Sequence, residues 1–307
     1  MKKLVIKILL FTFPIIICLG LIEFFLRNIP NDYSYKADYL KNKASKIEVL
    51  YLGSSHIYFG VNPEYSQYKA FNAAMTSQDI TLDWKLFNKY KWDNLKTIVI
   101  PIDYISLYSK LENGIEAWRM KNYVLYYDLK SRNITNNAEI LNGRFSDNIN
   151  RLNKYYIYKK YDIDCNELGF GTTYKHAIKK DIKNDAIKAS ERHSVDIKSK
   201  HSIQYYKENT EAIKNFISYA KEKKINILFV STPVTKYYLN LTKNEQLYST
   251  FSFLKKQIEN NTNCHYFNLM NDPEFSEGYF YDADHLNDLG AKKFTIKIDN
   301  LIQKISN

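Results

Sequence analysis

The sequence predicts an α/β protein with a parallel sheet, helices on both faces and an N-terminal transmembrane helix. Three observations indicate this class. Short apolar runs alternate with helical patterns along much of the chain. The first of these runs ends in a glycine-serine turn, and the chain begins with a long apolar segment. The interval from about 108 to 200 fits the alternation poorly, so it is predicted to be a central insertion.

The N-terminal segment 4–26 is almost entirely apolar, and Ile8–Ile22 carries no charge. As a helix, these 23 residues would span about 34 Å, enough to cross a bilayer. Lys2 and Lys3 precede the segment, and Lys7 lies near its start, before the uncharged stretch. Only Arg27 follows it closely, so the positive-inside rule predicts a cytoplasmic N-terminus and an extracytoplasmic remainder. A cleaved signal peptide and a buried core helix are the alternatives. The absence of a small-x-small cleavage site and the basic flank favour an uncleaved anchor in the cell membrane.

Composition and charge exclude several classes of protein. The chain has 307 residues, of which 45% are hydrophobic and 25% charged, an ordinary globular mixture that excludes wholesale disorder. Three cysteines without CxxC spacing exclude a disulfide scaffold and disfavour a structural zinc site. The net charge of +11 is diffuse, so no nucleic-acid partner is expected, whereas an anionic polymer or membrane surface stays open.

The predicted organisation has three parts. Residues 1–27 form the membrane anchor, 28–45 a polar stalk, and 46–307 the α/β domain with its insertion at about 108–200. Apolar runs predict strands at 47–53, 71–75, 97–101, 225–230 and 265–269. Helical spacing predicts helices at 82–90, 202–223, 245–258 and 291–305.

Two short motifs fall where such a sheet binds its ligands, outside the carboxyl ends of the strands. Gly53-Ser54-Ser55-His56 directly follows the first predicted strand, and Asp282-Ala283-Asp284-His285 directly precedes the last helix. A serine is a weak nucleophile that needs a base, and the base needs an orienting carboxylate. We therefore predict Ser55 as the nucleophile, His285 as its base and Asp282 as the orienting acid.

Alone, each motif has a plainer interpretation. A Gly-Ser-Ser is typical of a turn, and an Asp-x-x-His is typical of a protein surface. The order and context of the two motifs favour the catalytic hypothesis. The motif gives Asp284 no role, and His56 is expected to be structural or to face the substrate, because sequence neighbours usually point apart.

These segments resemble the SGNH (GDSL-like) hydrolase and acyltransferase superfamily. Gly53-Ser54-Ser55 is similar to its first block, the segment 71–78 to its second, and Asp282 to His285 to its last. The first block resembles that of a membrane-anchored branch acylating cell-envelope polymers, with relatives of alginate O-acetyltransferases and teichoic-acid D-alanylation proteins. The resemblance covers roughly 45–107 and 200–307. It implies a three-layer α/β/α fold and serine-based acyl chemistry, and no metal or other cofactor is expected.

The resemblance also implies an oxyanion hole formed by backbone N–H groups of Ser55 and Ala74. Ala74 stands where the family has a glycine, which leaves the backbone donor in place. The family's third block normally supplies an asparagine, but this chain has Ile102-Asp103 there. Loss of one such donor typically slows a reaction by about 100- to 1,000-fold.

The expected function is an extracytoplasmic serine acyltransferase that O-acetylates a cell-envelope or exported polysaccharide through acyl-Ser55. The expected partners are the lipid bilayer, a multi-spanning membrane acyltransferase that delivers the acyl group, and the glycan polymer. An SGNH-type esterase or lipase using the same residues is one alternative. A non-catalytic envelope protein that keeps the fold and binds glycan is the other.

Overall fold

The structure, a computed structural model, describes residues 2–177 and 181–306. The chain forms two compact units. The first comprises Met1–Asp38 and Ile115–Ile163, and the second comprises Tyr39–Gly114 and Asp164–Asn307. The segment expected as one insertion is therefore divided, because its middle packs with the N-terminal helix and its end packs with the sheet.

Within the described residues, the helices have these bounds: α1 Lys2–Arg27, α2 Asp32–Lys43, α3 Ser55–Tyr58, α4 Ile80–Phe87, α5 Met120–Tyr127, α6 Phe145–Leu152, α7 Ile182–His193, α8 Lys200–Lys223, α9 Lys236–Leu239, α10 Asn244–Glu259 and α11 Asp288–Ser306. Helix α2 occupies most of the segment that was expected to be a stalk. The four helices predicted from apolar spacing correspond to α4, α8, α10 and α11.

The second unit is built on a parallel sheet. Its strands are β1 Val49–Tyr51, β2 Ala70–Asn72, β3 Thr97–Pro101, β4 Asn226–Ser231 and β5 Cys264–Asn268. They lie in the order β2-β1-β3-β4-β5, and every adjacent pair is parallel. The α/β class with a parallel sheet and flanking helices is therefore confirmed, and all five predicted strands are present.

The topology brings the carboxyl ends of the strands to one edge. The strand order reverses between β1 and β3, and parallel sheets bind ligands outside such a switch point. The register places Tyr51 opposite both Asn72 and Val99, so the segments that follow β1, β2 and β3 leave the sheet side by side. The buried strand β3 anchors this edge.

Helix α1 has the length and composition of a membrane span. It has 26 residues and a mean hydropathy of 2.7 in its most apolar window, and no residue of that window is buried. At its other end Leu26 is buried within the first unit. An apolar helix with no protein packed around it can be buried in lipid, and this supports the predicted N-terminal anchor.

Candidate active site

The turn that carries the predicted nucleophile is tightly constrained. After β1 the chain reverses at Gly53, which has a φ of +119°. A Cβ at Gly53 would lie 2.2 Å from Pro101 Cγ, so only glycine fits. The Gly53 N–H donates to Asp83 Oδ1 at 3.0 Å. These contacts place Ser55 at the start of α3, half-buried at the sheet edge.

The structure brings the two predicted motifs together. His285 Nε2 lies 2.8 Å from Ser55 Oγ. His285 Nδ1 lies 3.0 Å from Asp282 Oδ1, and the same oxygen accepts the backbone N–H of His285 at 2.9 Å. Asp282 therefore fixes both the loop and the imidazole, which leaves Nε2 directed at Ser55. This is the arrangement of nucleophile, base and orienting acid in a serine triad.

A second acid, which the motif left without a role, lies against the same imidazole. Asp284 is only 2% exposed, and its Oδ1 lies 3.5 Å from His285 Nδ1. Its Oδ2 lies 3.2 Å from His56 Nε2, while His56 Nδ1 lies 2.8 Å from Asp103 Oδ2. Asp103 also accepts bonds from the backbone N–H and hydroxyl of Thr232. A buried chain of polar groups thus runs from β3 to the base.

Two residues of this buried polar network, His56 and Asp284, differ from what the sequence predicted. His56 does not point away from the site: it links Asp103 to Asp284 behind the triad. Asp284, to which the motif gave no role, is buried and contacts both histidines. The signal available in the sequence was the histidine directly after Gly-Ser-Ser and the second acid of Asp-x-Asp-His.

The charges in this cluster shift the pKa values of its members in opposite directions. Burial alone would lower the pKa of His56, but Asp103 and Asp284 outweigh it and raise that pKa to about 9. Burial likewise opposes protonation of His285, yet Asp282 and Asp284 hold its pKa well above the ordinary value. Burial would raise the pKa of Asp284, and the two histidines instead hold it well below its usual range.

His56, Asp284 and His285 could also be considered as metal ligands, because their ligand atoms lie within 4.8 Å of one another. However, both ring nitrogens of His285 already face Ser55 and Asp282. Both ring nitrogens of His56 face carboxylates. The hydrogen bonds of the cluster account for these ligand atoms, and this favours a proton-bearing network over a metal centre.

The predicted oxyanion hole is only partly available. Ser55 is the first residue of α3, so its N–H has no carbonyl partner within the helix. The N–H of Ala74, by contrast, donates to Asn72 Oδ1 at 3.1 Å, and Ala74 is fully buried. The Ala74 N–H therefore already has a partner in this structure, and its role as an oxyanion donor stays a prediction. The Asn72 side chain, itself anchored through two backbone carbonyls, folds back onto it.

An aromatic stack adjoins the base. The rings of Phe59 and Tyr174 are stacked at 3.7 Å, and those of Tyr174 and Tyr281 at 3.8 Å. The edge of this stack meets His285, whose ring lies 5.5 Å from that of Tyr174. Tyr174 and Tyr281 are both partly exposed, so part of this stack is open to solvent beside the base.

The fold and the site together define an α/β protein with a Ser–His–Asp constellation at a sheet edge. No protein-family model and no curated protein matches the chain significantly. Among solved structures, a provisionally named acylhydrolase from Bacteroides fragilis aligns with 87% of this chain and 94% of its own. The identity is 10% and the TM-score 0.42.

A protein from Streptococcus pneumoniae, provisionally named as a platelet activating factor, aligns with 93% of this chain and 98% of its own. The identity is 13% and the TM-score 0.41. Both values describe a general resemblance in architecture and nothing of the site.

Proposed function

We propose that the chain is a serine acyl-transfer enzyme that works through an acyl-Ser55 intermediate. The observation that carries this proposal is the continuous contact from Ser55 Oγ through His285 to Asp282. His285 takes the Ser55 proton as Oγ bonds to the acyl carbonyl carbon, and Asp282 stabilises the imidazolium. His285 then returns the proton to the leaving group as the acyl–oxygen bond of the donor breaks.

In the second half-reaction an acceptor hydroxyl attacks acyl-Ser55. His285 accepts the proton of that hydroxyl and delivers it to Ser55 Oγ as the acyl–serine bond breaks. The N–H of Ser55 is the donor best placed to stabilise the oxyanion, since the N–H of Ala74 is engaged by Asn72. With the family's asparagine missing and the Ala74 N–H already bonded to Asn72, we expect slow chemistry toward simple esters.

A fluorophosphonate probe tests the nucleophile, using the full-length chain in detergent. The Ser54→Ala protein should be labelled and the Ser55→Ala protein should not, because His285 contacts Ser55. Labelling that depends on Ser54 would overturn the assignment. A folded wild-type chain that is never labelled would favour the non-catalytic glycan-binding alternative.

We further propose that the acceptor is a sugar hydroxyl of a cell-envelope or exported polysaccharide. The support is Tyr281, the partly exposed ring at the end of the stack with Tyr174 and Phe59, since an aromatic face packs well against the apolar face of a sugar ring. Tyr281→Ala should weaken polymer acylation and leave fluorophosphonate labelling unchanged. Tyr248→Ala is the matched control, an exposed tyrosine of α10 in the same unit. Equal polymer acylation by both variants would argue against this acceptor, and rapid turnover of simple esters would favour a hydrolase.

The proposed compartment is the extracytoplasmic face of the cell membrane. The support is α1 together with the lysine asymmetry around it. Acetyl-CoA is a cytoplasmic donor, so a multi-spanning membrane acyltransferase is the proposed partner that delivers the acyl group. A reporter fused after the last residue tests the orientation. Alkaline phosphatase should be active there and a cytoplasm-only fluorescent protein dark, and the reverse pattern would exclude an envelope substrate.

A further inference from the structure

The first unit exposes apolar side chains at an unusual density. Six of them, 58–79% exposed and hereafter the interfacial patch, are Ile134, Leu141, Phe145, Ile157, Tyr158 and Tyr161. Such a concentration in water is costly and normally marks a surface that is covered. We propose that the interfacial patch is buried in the headgroup region of the bilayer around α1. This inference rests on the insertion of α1 that the proposed function assumes.

Direct hydrogen bonds tie part of the patch to the end of α1. Glu23 accepts the backbone N–H groups of Glu139 and Ile140, at 3.0 and 2.9 Å. Arg27 Nη2 donates to the carbonyl of Asn137 at 2.6 Å. Leu141 follows this anchored segment at once, so its height along α1 is fixed by Glu23.

A second contact holds the remaining part of the patch at the same level. Tyr156 packs its ring edge-on against Phe25, with the centroids 5.4 Å apart. Its hydroxyl donates to the carbonyl of Phe25 at 3.1 Å. Ile157 and Tyr158 follow directly in the chain and are both exposed.

The position of Glu23 sets the depth of these anchored segments. From Leu4 to Ile22 the helix has 19 residues, about 28 Å at 1.5 Å per residue, close to the roughly 30 Å of a hydrocarbon core. Glu23 then lies at the edge of the core. The segments bound to Glu23 and Phe25 lie in the headgroup region, where tyrosine and other amphipathic side chains are most stable.

The net charge of the first unit and the amphipathic pattern of α6 both favour lipid as the material that covers the interfacial patch. Residues 115–163 contain nine Lys or Arg and five Asp or Glu, a net charge of +4 that suits anionic headgroups. Helix α6 contacts α1 and is strongly amphipathic. Phe145 and Ile149 share its apolar face, while the exposed Asn150 lies on the opposite side.

Depth-dependent fluorescence quenching tests the proposal on the full-length chain in vesicles of phosphatidylcholine and phosphatidylglycerol. A single cysteine carries an NBD label in a background with Cys165→Ser and Cys264→Ala. Native Cys18, inside the apolar span of α1, is the reference for insertion. Phe145→Cys reports the patch, and Asn150→Cys is the matched control on the other face of α6; both replace Cys18 by serine.

The label at 145 should be quenched more by a headgroup-proximal nitroxide lipid than by a chain-end nitroxide, and chain-end quenching should contribute a larger share at Cys18. The label at 150 should be quenched mainly by aqueous iodide. Iodide quenching at 145 while Cys18 stays lipid-quenched would overturn the patch alone. A label at 145 shielded from both quenchers would show that protein covers it and would also overturn the lipid assignment. Iodide quenching at Cys18 would refute the anchor itself, whereas serine labelling by fluorophosphonate reports the chemistry separately.

Discussion

Replacement of Gly53 by alanine should displace the nucleophile, and the structure supplies the size of the effect. The new Cβ would meet Pro101 Cγ at 2.2 Å and Cδ at 2.6 Å, where carbon atoms normally pack at about 3.5–4.0 Å. The backbone φ of +119° adds a strain of about 1–3 kcal/mol for any residue with a Cβ. Overpacking adds about 1–3 kcal/mol, so Gly53→Ala should lower stability by about 2–6 kcal/mol.

Relief of this clash must move either the β3 end at Pro101 or the turn that leads to Ser55. A displacement of about 1 Å at a reacting group can reduce a rate by about 100-fold. We therefore expect Gly53→Ala to lose most of its fluorophosphonate labelling rate while still inserting into membranes. The rate is measured by gel fluorescence at several probe concentrations, and stability by the Tm of the detergent-solubilised chain.

The variant Gly143→Ala separates the contribution of backbone strain from that of overpacking. Gly143 also has a positive φ, of +93°, but a Cβ there would have no heavy atom within 4 Å. It should therefore lower the Tm through backbone strain alone and leave the labelling rate unchanged. Equal losses of Tm and labelling in the two variants would refute the clash with Pro101 as the reason for glycine at 53.

Two further predictions concern pH. The labelling rate should rise with pH with a midpoint above 6.5, because Asp282 and Asp284 hold the pKa of His285 well above that value and only neutral His285 accepts a proton. The variant Asp282→Asn should move this midpoint to lower pH. A wild-type midpoint at or below 6.5 would contradict the prediction. Burial raises the pKa of Asp83 from 3.8 to about 8, so its contribution to stability is complete below pH 3.8 and declines by roughly 1.4 kcal/mol per pH unit as pH rises toward 8. Asp83→Asn should flatten the fall of Tm between pH 5 and 8, whereas the exposed Asp93→Asn should not, and equal Tm slopes in all three proteins would exclude Asp83 as the cause.

Local signals allowed the sheet and the contact of His285 with Ser55 and Asp282 to be predicted. Apolar runs that end at glycine or proline mark strand ends, and an amphipathic pattern marks the last helix. The topology then carries Ser55 and His285 to a common edge. Both signals are local in sequence: Gly53 lies two residues after the end of β1, and Asp282 lies six residues before the start of α11.

The supporting residues could not be predicted in the same way. The partners of His56 lie 47 and 228 residues away, so its role depends on the complete packing of the unit. Ala74 is two residues from Asn72, yet the bond between them forms because the Asn72 amide is held by the carbonyls of Ile57 in α3 and of Val61. The division of the expected insertion likewise depends on its packing with α1, which no local pattern records.

The buried cluster also accounts for the balance between binding a proton and releasing it at the base. Asp282, Asp284 and Asp103 surround two histidines, and His56, with a pKa of about 9, is cationic at neutral pH. Its charge offsets one of the carboxylates near His285, whose ring lies 4.9 Å away. Without that offset, Asp282 and Asp284 together would hold the His285 proton still more tightly. In the proposed reaction we therefore expect His56 to moderate the basicity of His285, so that the base keeps a strong affinity for the Ser55 proton and can still return it to the leaving group.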